Sequence, residues 1–216
     1  FKETSAQAFV LDTPTELSLE RLFEHTLCTQ LIGGGCCNKA FRTSIIRELG
    51  LSFDTRIGVG EDMLFLMQYY QRCRRAVYVA EVLYHYRLNE NSATEAGFSH
   101  GKVTERTASV LLAVDAMAAH VNPDAPYQAD HVAYRKARSS LRLFMQMVMS
   151  RTDDALLLDT IQKNMRASLT PYIRSSHARW LEKMVAMALC VSARGMFRVA
   201  QMLAGPLSGR LSSYRS

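Results

Sequence analysis

The sequence predicts a mainly α-helical fold with a small β element, and three observations carry that prediction. β-Branched and aromatic residues gather in two short runs, AVYVA (76–80) and VLYHYRL (82–88), the composition of strands. From about residue 100 onward such runs vanish, and helical patterning fills 101–120, 127–150, 153–168 and 172–203. With 48% apolar residues over 216 positions, the chain can fill the core of one large domain or two small ones.

Taken in order, the first element is a helix. Thr13-Pro14 followed by Glu16 places an N-cap, a proline at the first helical position and an acid three residues after the cap. Leu19, Leu22, Phe23 and Leu27 then recur near helical spacing, so a helix over about 14–30 is expected. Gly33, Gly34 and Gly35 end it, because three glycines lose too much backbone entropy inside an element. Thr43 to Leu49 reads as a short helix closed by Gly50 in a left-handed cap. Glu61 to Cys73 reads as a helix with Leu64, Phe65, Gln68 and Tyr69 near one face. The two strand runs follow, separated by Glu81 alone, as two short strands or one bent strand, so the β element is expected within about 35–90. Breaks near Pro123/Pro126, Asp153 and Pro171 divide the later helices.

Charge is divided unevenly. Residues 1–132 hold 12 Lys+Arg against 16 Asp+Glu, whereas residues 133–216 hold 14 against 4. A basic half suits an anionic partner, a membrane surface or a nucleic acid. No helix-turn-helix or RNA-binding signature accompanies it, so nucleic acid is not expected as a partner. The segment WLEKMVAMALCVSARGMFRVAQMLAG (180–205) is apolar around most of its circumference, with Lys183, Arg194 and Arg198 among the apolar residues. It reads either as a core helix of an α-helical subdomain or as an interfacial helix on an anionic membrane. No stretch is long and apolar enough to span a bilayer. Five cysteines, odd in number and without C-x-x-C spacing, read as reduced, which suits a cytoplasmic location, peripheral at the inner face of the membrane where the tail binds.

Adjacent acids, Glu61 and Asp62, stand in GVGEDMLFLMQYY where a helix begins. Acids in a first turn are stabilised by the helix dipole, so the pair reads as a cap or as catalytic carboxylates. The surrounding order is a glycine loop with Asn38, a short helix, Phe53-Asp54, the acid pair, and a strand region ending in aromatics. In that order, GGGCCNKAFRTSIIRELGLSFDTRIGVGEDMLF and VYVAEVLYHYRLNENSAT resemble the inverting glycosyltransferases of family 2, over roughly residues 33–94.

The resemblance implies a partial GT-A acceptor-side half over residues 1–95, followed by an all-α C-terminal subdomain over 96–216. It makes Asp62, beside Glu61, the general base that deprotonates an acceptor hydroxyl in a single in-line displacement. It places Gly34, Gly35 and Asn38 along the donor-sugar and acceptor cleft, although a tight structural turn explains the glycines equally well. Cys37-Asn38-Lys39 departs from the Trp-Asn-Lys common in similar enzymes. Arg87 and Ser92 are implied contacts of the donor diphosphate, for which a guanidinium is well shaped, and His85 an implied neighbour of the metal. The implied partners are a nucleotide-sugar donor and a glycan or lipid-linked acceptor, in cell-surface polysaccharide synthesis. The implied cofactor is a divalent metal, Mg or Mn, held through an Asp-x-Asp upstream of the glycine loop; residues 1–32 contain none. The expectation is therefore a chain that begins after the metal site, is inactive alone, and exposes an apolar strand edge that favours a homodimer. The alternative is a non-catalytic helical membrane- or partner-binding module.

Overall fold

The computed structural model of the chain describes residues 13–29, 32–85 and 103–204. It is mainly helical, with one two-stranded antiparallel sheet among the described residues. The sheet pairs β1 (Thr15–Leu17) with β2 (Ala76–Tyr78), Thr15 opposite Tyr78 and Leu17 opposite Ala76. Two expectations are corrected here. The β element reaches outside 35–90, because the partner of AVY is the N-terminal TEL and not the neighbouring VLYHYRL. Val82 and Leu83 are instead 80% and 70% exposed and lie in no strand; residues 86–88 fall outside the described ones.

That pairing also moves the first helix. α1 (Leu19–Leu27) starts after Ser18, whose Oγ accepts from the Arg21 N–H at 3.2 Å, and not at Thr13-Pro14. The strand pairing of Thr15–Leu17 takes up the residues that Thr13-Pro14 would have opened as helix. α2 (Thr43–Leu49) ends as expected at Gly50, with φ 56°. α3 (Glu61–Tyr70) is buried at Met63 through Met67 and at Tyr69 and Tyr70, so it lacks the single apolar face that was expected. Gln68 reaches the surface, where its Nε2 meets His120 Nε2 at 3.1 Å.

The helical half begins with α4 (Glu105–Ala108) and α5 (Val110–Ala119). α6 (Pro126–Ser150) carries Pro126 in its first turn, where a missing N–H costs nothing. α7 (Ala155–Arg174) is capped by Asp154, whose Oδ1 accepts from the Leu157 N–H at 3.0 Å. α6 and α7 form the centre of the core, with Tyr134, Ala137 and Met147 buried with Leu158, Ile161, Met165 and Tyr172. α1 packs on α6 and α3 on α5, so side chains from before and after residue 95 share one hydrophobic core.

Pro171 does not break α7, contrary to expectation. The helix runs through it to Arg174 because Ser168 and Tyr172 are buried on its inner face, and Tyr172 stacks on Tyr134 at 5.3 Å. A proline inside a helix costs about 3 kcal/mol; burying a large aromatic in a stack offsets a cost of that size. Nor is 172–203 one helix. The chain leaves α7 after Arg174, re-enters as α8 (Trp180–Val191), and turns at Ser192 into α9 (Ala193–Ala204). Ser192 is extended, φ −157°, and its Oγ accepts from the Gly195 N–H at 2.9 Å, which makes it the N-cap of α9.

The corner leaves the last carbonyls of α8 without helical partners, and α7 supplies them. Gln162 Nε2 donates to the Cys190 and Val191 carbonyls at 3.3 and 2.9 Å, its Oε1 accepts from the Ala193 N–H at 3.2 Å, and Arg166 Nε donates to the Cys190 carbonyl at 2.6 Å. Gln162→Leu removes three of these bonds at similar volume. It is expected to lower unfolding free energy by about 1–3 kcal/mol, measured by urea denaturation, without changing helix content at low denaturant.

Candidate active site

The acid pair is positioned by a loop that Ser109 holds. Gly58 and Val59 N–H both donate to Ser109 Oγ, at 2.8 and 3.2 Å, and that hydroxyl donates to the Arg106 carbonyl at 2.6 Å. One donor and two acceptor positions exhaust the hydroxyl. The loop ends at Gly60, in the left-handed region at φ 96°, where a Cβ would come within 3.0 Å of Ala113 Cβ. Glycine suits the position twice over, for its left-handed backbone and for the close approach. α3 then opens with Glu61 and Asp62, both partly buried.

The N-cap of α3 is Gly60, which has no side chain, and neither Glu61 nor Asp62 has a described hydrogen bond to an N–H of its own helix. Asp62 instead turns toward the glycine loop: its Oδ2 accepts from the Cys36 N–H at 3.4 Å, and Cys36 Sγ lies 3.9 Å from the Asp62 carbonyl. The loop sits directly on the first turn of α3. A Cβ on Gly35 would lie 3.5 Å from Asp62 Oδ2, and one on Gly34 only 2.5 Å from Met63 Cγ. No described group hydrogen-bonds Asp62 Oδ1.

Lys39 holds the loop in this place. Its Nζ donates to the carbonyls of Ile32, Gly33 and Gly35 at 3.0, 3.1 and 2.6 Å. Burial lowers its pKa, against the raising influence of Cys37, Cys36 and Asp62. Cys36 is pushed up to about 11, by burial first and by the Asp62 charge second, so its thiol stays protonated near neutrality and is no nucleophile. All five cysteines are free. On the α3 side, Phe53 stacks on Phe65 at 4.9 Å, and Phe41 meets Tyr69 edge-on at 5.1 Å.

The structure thus brings Asp62, Gly34 and Gly35 together, with Glu61 adjacent in the helix. Asn38 stands exposed on the loop's outer edge in the left-handed region, φ 60°. His85 is exposed, and among the described residues no three His, Cys, Asp or Glu side chains gather as a metal site. The described side chains do not fit the Mg or Mn that the resemblance implies. Arg87 and Ser92 lie outside the described residues. Sequence reasoning missed Lys39 and Ser109: a lysine after Asn38 is visible in CNKAF, but its three carbonyl partners are not, and Ser109 acts across fifty residues.

A separate cleft of about 300 Å³ lies between α1, α6 and α7, lined by Glu24, Cys28, His131, Tyr134, Arg174 and His177 among others. His177 Nε2 meets Glu24 Oε1 at 2.8 Å and ties the segment after α7 to α1. His131 has its pKa lowered, by burial first and against the charges of Glu24 and Glu20.

No family model, curated protein or solved structure matches the chain.

Lys39→Met keeps the stem but leaves three loop carbonyls without their donor; the glycine loop is expected to loosen, read as faster hydrogen exchange at Gly35 and Cys36, with stability lower by about 1–3 kcal/mol. His25 and His131 both have pKa values lowered by burial, so as pH falls the unfolded chain takes up protons first. Their contribution to stability is fully present above their ordinary pKa of about 6.5 and is lost as pH drops through their folded values. The unfolding midpoint is expected to fall from pH 7 toward about 5, and His131→Gln to flatten that slope.

Proposed function

We propose that this chain carries the acceptor side and general base of an inverting glycosyltransferase with a partial GT-A fold. It moves a sugar from a nucleotide-sugar donor to a hydroxyl of a glycan or lipid-linked acceptor, in cell-surface polysaccharide synthesis at the cytoplasmic face of the membrane. The observation that supports this is the placement of Asp62: a carboxylate turned from its own helix toward a glycine loop, with one oxygen free of described partners.

In the proposed reaction the acceptor hydroxyl lies against Asp62 Oδ1. As its oxygen bonds to the anomeric carbon, its proton passes to Asp62, and the bond from that carbon to the nucleoside diphosphate breaks with its electrons. Attack and departure occur on opposite faces of the sugar, which inverts the configuration. Gly34 and Gly35 let backbone come close to the sugar, Asn38 reaches outward from the loop edge, and Glu61 adds negative charge beside the base. Arg87 and Ser92 are assigned to the departing diphosphate, and the sequence contains no Asp-x-Asp to hold a metal.

A second reading, a non-catalytic helical module that binds a membrane or partner, is favoured by the outward apolar side chains of α8. Asp62→Asn, placed in a complete enzyme containing this sequence, separates the two. It keeps the shape of the carboxylate and loses its proton acceptance, so turnover should fall roughly 10²- to 10⁴-fold while donor binding persists. Near-normal turnover in that variant, or failure of the unaltered enzyme to transfer or hydrolyse any nucleotide sugar, would leave the module. The 216-residue chain alone is expected to be inactive.

A further inference from the structure

α8 is apolar on both sides. Ala186 and Leu189 are buried on its inner stripe, while Trp180, Met184, Met187 and Val191 face solvent, Trp180 being 75% and Val191 77% exposed. Steps of four, three and four residues keep these four in line along one face, over about 16 Å at 1.5 Å per residue. Leu181 is exposed beside them. A surface helix of a globular protein ordinarily places polar residues on its outer face.

α9, packed against α8, repeats the arrangement. Ala193 and Phe197 are buried, whereas Val199, Met202 and Leu203 are exposed, Met202 by 75%. Arg194 and Arg198 run along one edge of this face and Lys183 along the flank of α8. Arg194 pairs with Asp159, but neither Lys183 nor Arg198 has a carboxylate within ion-pair distance among the described residues. Exposed apolar surface on two neighbouring helices marks an interaction site.

We propose that the outward faces of α8 and α9 dock on an anionic membrane surface. Trp180, Met184, Met187, Val191 and Met202 enter the boundary of the acyl chains, and Lys183 and Arg198 meet lipid phosphates. Charge selects this occupant. Lys183 and Arg198 border the face with no ion-pair carboxylate among the described residues, so a second copy would bring these cations against their own kind, whereas anionic lipid supplies the opposite sign. A tryptophan with aliphatic residues on one face and basic residues at its borders is the composition of helices that lie in the bilayer interface. No described helix is long and apolar enough to cross a membrane, so the helices lie on it. The docking face does not depend on Asp62 or on sugar transfer.

The molecule carries its own probe, since Trp180 is the only tryptophan. Titrating the 216-residue chain with vesicles containing about one-third phosphatidylserine should shift Trp180 emission to the blue and carry the protein into floated vesicles. Rising salt should weaken both effects. Arg198→Gln should lower partitioning about fivefold. Met184→Glu with Val191→Glu should abolish it with unchanged circular dichroism, because both side chains are exposed; if that variant misfolds, the titration and Arg198→Gln decide. Unshifted emission, or equal binding to neutral phosphatidylcholine, would overturn the proposal. Blue-shifted emission without lipid would also overturn it: in a sedimenting dimer the face belongs to a second copy, in a monomer to a segment of the same chain.

Discussion

Helix α3 has almost no free side, and the rest of the N-terminal half is arranged by that constraint. With Met63 through Met67, Tyr69 and Tyr70 all buried, every neighbour must supply apolar cover or a matched polar partner. Phe23 of α1 meets Tyr70 edge-on at 5.5 Å, and Thr26 Oγ1 lies 3.3 Å from the Tyr70 hydroxyl. Phe41 and Phe53 cover Phe65, and the Arg42 N–H donates to the Tyr69 hydroxyl at 2.7 Å. α5 approaches so closely that a Cβ at position 60 would crowd Ala113 at 3.0 Å. A helix enclosed in this way can offer chemistry only at an end, and the N-terminal end is where the two acids stand.

What could be read in the sequence follows the range of the forces involved. Thr43–Leu49 with its Gly50 cap, the start of α3 at Glu61, and the start of α6 at Pro126 are set within a few residues, and all three are legible. Where two local signals compete, the sequence cannot rank them. Thr13 and Ser18 are both acceptable caps, and the pairing of TEL with AVY, sixty residues away, selects Ser18. Pro171 is a strong local breaker overruled by the burial of Tyr172, which only the α6–α7 packing reveals. The break at Ser192 had a usable signal, a serine three residues before a helical glycine, but apolar residues on all sides of 180–205 concealed the change of direction. At the candidate site, the acid pair and glycines were visible as residue types. The Lys39 staple and the Ser109 clamp were not, because their partners are main-chain carbonyls and N–H groups that carry no residue identity.

The geometry of Lys39 explains how a half-buried cation and a candidate base share so small a space. An ammonium has three donors and a carboxylate two accepting oxygens, so the simplest local arrangement would be a direct ion pair between Lys39 and Asp62. That pair would occupy the oxygen a substrate hydroxyl needs. The loop prevents this by turning three of its own carbonyls toward Nζ, which matches all three donors. Asp62 then feels the ammonium as a nearby charge without bonding to it, and its only described side-chain hydrogen bond is the long one from Cys36 N–H. Asn38, in the left-handed region, follows from the same demand: the chain must reverse between the carbonyl of Gly35 and the lysine that reaches back to it. The glycines, the strained asparagine and the lysine are thus one device, and its consequence is an acidic side chain at a helix end with an oxygen left over.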